Sequence, residues 1–248
     1  MVGDESSEHR SFPSTKWSQV FIAADADSPG GREALAIVIR RYQPALKTYL
    51  VRRKGIKSDR ADDLLQSFVT TKVLEGNLLD HADQQKGKFR TFLLTALSNF
   101  VISEYRREHA KKRSPTRFET IEPGTELPEE QIDPARVFEV AWARQVLEQA
   151  IDQMRDECDR NERVDVWGVF EGRILGPTLY QNELLPYEVM VRRFGFSSPA
   201  QDSNVLTTAK RMFDRHLRSV IREYAGDEGI DSEIADLQRI LSAARTIE

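Results

Sequence analysis

The chain has a single cysteine, Cys158, among its 248 residues, so no internal disulfide can form. That usage fits a reducing compartment, and a cytoplasmic location is expected. No apolar run approaches the roughly 18 residues that a membrane span needs. The acidic opening Met1-Val2-Gly3-Asp4-Glu5 carries no apolar secretory core, so neither a signal nor a membrane partner is expected. Catalytic signatures are also missing. There is no GxxxxGK[ST], no GxGxxG and no HExxH, and His9, His81, His109 and His216 stand far apart. Asp25 and Asp27 resemble the start of a calcium loop, but Pro29 and Ala36 occupy positions where ligands belong. No catalytic residue, metal or cofactor is expected, and the chain reads as a binder, not an enzyme.

What is present is charge in blocks. The net charge of −4 hides a segment from Lys86 to Arg117 at +7 and one from Glu119 to Glu171 at −10. A third, Asn204 to Arg222, carries +4, and the tail from Glu223 carries −5. Two basic blocks separated by an acidic one suggest an anionic ligand that the overall charge conceals.

Hydrophobic spacing is helical almost throughout. Leu64, Leu65, Phe68, Val69, Val73 and Leu74 form one stripe. Phe89, Phe92, Leu93, Ala96, Leu97, Phe100, Val101 and Tyr105 form the clearest one. Asp59 suits a helix N-cap, Gly55 a helix stop, Pro44 a kink and Gly176-Pro177 a break. No strand alternation is convincing. The expected fold is all-α, with two helical bundles joined by an acidic Pro-rich linker and followed by a C-terminal helix. The expected boundaries are a disordered 1–14, a first helical domain 15–113, a linker 114–135, a second domain 136–225 and an amphipathic helix 226–248. That last helix is expected to pack on the second bundle.

Two segments suggest nucleic acid. Around Gly195, a short helix with Val189, Met190 and Phe194 gives way to a turn and a long basic helix. Its opening residues are short and polar, and cations follow. This is the order a helix-turn-helix needs to reach base edges and phosphates. A plain two-helix corner has the same glycine. The helix from Phe89 ends in the run Arg106, Arg107, Lys111, Lys112, Arg113, which suits a single strand but also any solvated helix end. Phe89, Phe92 and Phe100 share one face and are expected in the core.

Ala61-Asp62-Asp63-Leu64-Leu65-Gln66-Ser67-Phe68 resembles the A-E-D-L-x-Q-E-x-F helix of the extracytoplasmic-function sigma factors of bacterial RNA polymerase. Phe89-Arg90-Thr91-Phe92-Leu93, with Asn99, Ser103, Arg106 and Arg107, is similar to that family's F-R-x-W-L…N…D…R-R helix. Tyr187-Glu188-Val189-Met190-Val191-Arg192-Arg193-Phe194-Gly195 resembles its Y-x-E-I-A-x-x-L-G half-motif, and Thr15-Lys16-Trp17-Ser18 the opening of a divergent branch. Ser67 and Ser103 stand where the family carries glutamate and aspartate.

The resemblance implies a subunit that binds core RNA polymerase, through its clamp helices and flap, and directs promoter-specific initiation. Asp63, Gln66, Ser67 and Thr70 would face the polymerase clamp. Asn99, Ser103, Arg106, Arg107, Lys111, Lys112 and Arg113 would lie near the melted minus-ten strand. Ser203, Asn204, Thr207, Lys210 and Arg211 would read the minus-thirty-five duplex. Promoter DNA and an anti-sigma protein are the further partners implied. Two rival readings stay open here: a stand-alone helix-turn-helix regulator, and an all-helical interaction scaffold with no nucleic-acid partner.

Overall fold

The computed structural model describes residues 16–25, 28, 30–112, 134–179 and 182–245. The expected N-terminal stretch 1–14 and linker residues 114–133 lie outside the described residues. Every regular element among the described residues is helical, so the fold is all-α. The chain divides into two units, one of residues 1–143 with 231–248 and one of residues 144–230.

The first unit contains α1 (Trp17–Ala24), α2 (Gly31–Lys54), α3 (Ser58–Phe68) and α4 (Phe89–Lys112). It also takes α5 (Pro134–Arg160) as far as Ala143, and later in the chain α10 (Ile230–Arg245). Pro44 lies inside α2, which runs on through it without a break. Gly55 does end that helix. At φ 61° it adopts the left-handed conformation that glycine tolerates, and the Leu50 carbonyl accepts from its amide and from that of Ile56. Lys57, not Asp59, holds the N-cap position of α3, and Asp59 lies in the first turn, where the helix dipole favours a carboxylate.

After Phe68 the helix loosens into a π-helical stretch, Val69–Leu74, in which the Glu75 amide reaches back five residues to the Thr70 carbonyl at 3.0 Å. The wider turn changes the phase of the stripe. Phe68 and Val73 are both buried, whereas Leu74 turns outward and is 49% exposed.

Aromatic rings join the core of this unit. Phe89, fully buried at the start of α4, meets Trp17 edge-on at 6.0 Å and Tyr42 at 5.5 Å. Tyr42 in turn stacks on Trp142 of α5 at 4.8 Å. Burial pushes the Tyr42 phenol up to about 12, against the pull of Arg90 and Arg41. The stack places Phe138 and Trp142 in the first unit, although 136 onward reads in sequence as the start of the second domain.

The C-terminal helix corrects the expectation for the tail. It belongs to the first unit, not the second. Leu237 and Ile240 are buried, Glu233 pairs with Arg90 at 2.6 Å, and Asp236 pairs with Lys88. Burial, with the Arg90 guanidinium alongside, pulls the Lys88 ammonium down to about 8, and Lys88 still carries its charge at neutral pH.

The second unit takes α5 from Arg144, then α6 (Val164–Phe170), a π-helical stretch Glu171–Leu175, α7 (Gly176–Leu179), α8 (Tyr187–Phe194) and α9 (Pro199–Ala225). The expected break at Gly176-Pro177 is instead a change of helical pitch. The path continues to Leu179, and the missing Pro177 amide falls in the first turn of α7, where a proline is tolerated. Ile151, Met154, Cys158, Val166, Phe170, Leu175 and Ala209 form one core of this unit. Val169, Met190 and Phe196 form a second, under α8.

Glu157 ties α5 to α9, accepting from Arg215 at 2.6 Å and lying 2.8 Å from His216 Nε2. Burial acts to raise this carboxyl, but the Arg215 and His216 contacts override it and hold Glu157 below the ordinary range. A lowered native pKa contributes stability above the unfolded value, and that stability is lost as pH falls through the native one. We expect the second unit to lose stability as pH drops from about 4.5, and Glu157→Gln to flatten that loss in acid melts.

Candidate nucleic-acid interface

α4 is a 24-residue helix whose buried side ends early. Phe89, Leu93, Leu97 and Phe100 are buried, as their spacing requires, and Phe92 is half-buried. Beyond Phe100 the stripe no longer faces the core. Tyr105 is 58% exposed and Ile102 42% exposed, so Tyr105 leaves the apolar stripe in which periodicity placed it.

Asn99, Ser103 and Arg106 are exposed and fall at i, i+4 and i+7, on one side of this projecting end. The Ser103 hydroxyl donates to the Asn99 carbonyl at 2.9 Å and keeps its lone pairs free to accept. Arg107 pairs with Glu104 at 2.6 Å, and Arg60 of α3 pairs with Glu108. Arg106 has no carboxylate within ion-pair distance among the described residues. Lys111 and Lys112 close the helix, but their side chains and the whole of Arg113 lie outside the described residues.

The +7 reading of this segment shrinks at its N-terminal end. Lys88 and Arg90 are paired with α10, and Lys86 with Asp83 at 3.3 Å. Cation, amide and hydroxyl therefore come together in the last turns of α4, with the exposed Tyr105 phenol about a third of a turn round the helix. That set can hold a phosphate chain and stack a base. Tyr105 was missed because period alone cannot tell which turns of a helix the core covers.

α8, the turn Gly195–Ser198 and α9 form a two-helix corner. Gly195 caps α8 at φ 68°, and its amide donates to the Val191 carbonyl. Phe196 is buried against Val169 and Met190, so the turn is pinned from inside. Ser198 caps α9 through the Gln201 amide at 3.4 Å, and Pro199 takes the first helical position. The Gln201 side chain reaches back to the Ser197 amide at 2.7 Å and is spent on this cap. Arg173 fixes the other end of α8, stacking 3.8 Å from the Tyr187 ring and donating to the Leu185 carbonyl at 2.5 Å.

Ser203, Asn204, Thr207, Lys210 and Arg211 are all exposed on α9, opposite the buried Ala209 and half-buried Val205 and Met212. The Thr207 hydroxyl donates to the Ser203 carbonyl at 3.0 Å, which orients it without using its acceptor side. Lower on the helix, Arg215, Arg218 and Arg222 pair with Glu157, Asp214 and Asp227. Neither Lys210 nor Arg211 has such a partner among the described residues. If these two neutralise phosphates, Lys210→Ala and Arg211→Ala should each lower the slope of log affinity against log salt by about 1 on any duplex. An electrophoretic mobility titration across salt concentrations measures it.

On α3, Asp63, Gln66 and Thr70 are exposed and Ser67 is half-buried, opposite Ala61, Leu64, Leu65 and Phe68. Gln66 and Thr70 border a groove of about 400 Å³ whose apolar lining includes Ile39, Leu46, Leu65 and Phe68. The neighbouring Asp62 pairs with Lys47 of α2 at 2.7 Å, which holds α3 against α2 and leaves Asp63 facing outward.

Among the described residues, no group of three metal-ligating side chains lies together, and no helix is long and apolar enough to cross a membrane. Cys158 is buried, and burial together with the Glu157 carboxylate pushes its thiol up, away from the reactive thiolate. The chain matches no protein family, no curated protein and no solved structure.

Proposed function

We propose that this chain is a promoter-specificity subunit of bacterial RNA polymerase, of the extracytoplasmic-function sigma type, acting in the cytoplasm. The observation that carries the reading is the capped corner α8–Gly195–α9, whose long second helix turns Ser203, Asn204, Thr207, Lys210 and Arg211 outward while Phe196 locks the turn. A recognition helix needs that division between an anchored side and a polar, cationic side. In this reading α9 reads duplex DNA. The projecting end of α4, with Asn99, Ser103 and Arg106, holds an unpaired strand, joined by Arg107 and the cations that follow it. The Asp63, Gln66, Ser67 and Thr70 side of α3 docks on the polymerase clamp, and the polar border of its groove gives that face a role that duplex binding alone does not.

Mixing the tagged chain with core polymerase and separating by gel filtration tests the reading. We expect a stable complex that supports run-off transcription from genomic fragments, and Gln66→Ala should weaken the association by at least about fivefold. A chain that neither joins core polymerase nor directs run-off transcripts is no such subunit.

A further inference from the structure

A buried ion pair joins α10 to the first turn of α4. The Arg90 and Glu233 side chains are 5% and 2% exposed, and their pair is flanked by Lys88 and Asp236. Arg90 Nε and Nη2 have no hydrogen-bond partner, so Glu233 supplies the one hydrogen bond this buried guanidinium makes. Asp236 stands 3.9 Å from Arg90 Nη2, so it is the loss of both carboxylates that would leave Arg90 an uncompensated buried charge, which a structure avoids by moving it to water. Arg90 follows directly on Phe89, which is seated among Trp17 and Tyr42, so a shift of this turn disturbs both. At the far end of α10, Arg136 of α5 donates to the Ala243 carbonyl and anchors that helix in turn.

We propose that Glu233 and Asp236 are positioning residues for α4: by holding its first turn, the C-terminal helix sets the direction in which Asn99, Ser103, Tyr105 and Arg106 project, and so tunes single-strand affinity. The affinity part rests on the proposed function, whereas the positioning does not. Neither carboxylate touches the ligand. They act through a stiff helix whose ligand-facing residues, Asn99 to Arg106, lie nine to sixteen positions beyond Arg90, on the order of 14–24 Å at its rise per residue.

Hydrogen exchange on the full chain, beside anisotropy titration of a short fluorescent single-stranded oligonucleotide at low salt, tests this. Glu233→Gln combined with Asp236→Asn removes both charges at nearly constant shape. We expect exchange to quicken at least about tenfold across Phe89–Leu94 and across α10, with the second unit unchanged, and oligonucleotide affinity to fall about tenfold. Lys88→Glu, which sets a third carboxylate beside Glu233 and Asp236, should act likewise. Quickening confined to α10, with α4 at wild-type rates, overturns the proposal, as does quickened α4 exchange with undiminished oligonucleotide affinity. A wild-type chain that binds no oligonucleotide, while α4 exchange responds as expected, removes the nucleic-acid reading and keeps the positioning.

Discussion

Arg90→Ala should cost about 3–5 kcal/mol and lower the melting temperature of the first unit by about 10 °C. The side chain is 5% exposed and its partner Glu233 is 2% exposed, so truncation leaves a carboxylate in a dry site with its 2.6 Å partner gone and only the Lys88 ammonium, at 3.9 Å, to face it. The ion pair itself is a poor stabiliser, because both ions are stripped of water to form it and two of the guanidinium nitrogens make no hydrogen bond. The two statements separate in one experiment. Arg90→Met combined with Glu233→Leu removes both charges and keeps the volume, and it should recover most of the lost stability. Arg90→Lys should fall between, since an ammonium cannot reproduce the planar fork. Thermal melts of the three variants check the order. If Arg90→Ala melts with wild type, the pair is not buried in the folded chain.

Arg90 also shows where sequence reading stops. Its charge counts it with the basic residues of the segment, yet it stands three, four and seven residues before the buried Leu93, Leu94 and Leu97, on the face that turns inward. Its partner lies 143 residues later, in a segment with no local reason to return. The same is true of Trp142: α5 crosses from one unit to the other at Ala143, and a boundary inside an unbroken helix leaves no glycine, proline or change of period to read. Local signals fared better. Gly55 and Gly195 mark helix ends because each needs positive φ there, and Phe89, Leu93, Leu97 and Phe100 keep helical spacing because one neighbour set buries them all. The α9 face was legible for that reason, since Ala209 is buried opposite the polar residues. Leu74 and Tyr105 were not, the first because a π turn shifts the phase and the second because α4 outruns its core.

Gly168→Val should uncouple α8 from its seat and cost about 3 kcal/mol, with loss of duplex binding. A Cβ at Gly168 would stand 2.1 Å from the tip of the Phe194 ring and 2.9 Å from a second ring carbon. An aromatic ring cannot bend aside as an alkyl chain does, and Phe194 is the last residue of α8, directly before the Gly195 turn. Displacing it shifts the turn that Phe196 pins, and with it the start of α9. Gly172 supplies the control one turn further on. A Cβ there meets the Met190 terminal methyl at 2.1 Å and a Leu185 methyl at 2.8 Å, both at the ends of flexible chains. Gly172→Ala also gains up to about 1 kcal/mol of helix propensity, which offsets most of the repacking. We therefore expect Gly172→Ala to melt within a few degrees of wild type and to bind duplex DNA as wild type does. Gly168→Val should melt early in the second unit alone, with exchange in α1–α4 and α10 unchanged. Equal tolerance at both glycines would mean that Phe194 does not rest on α6, and the corner that carries the functional reading would lose its anchor.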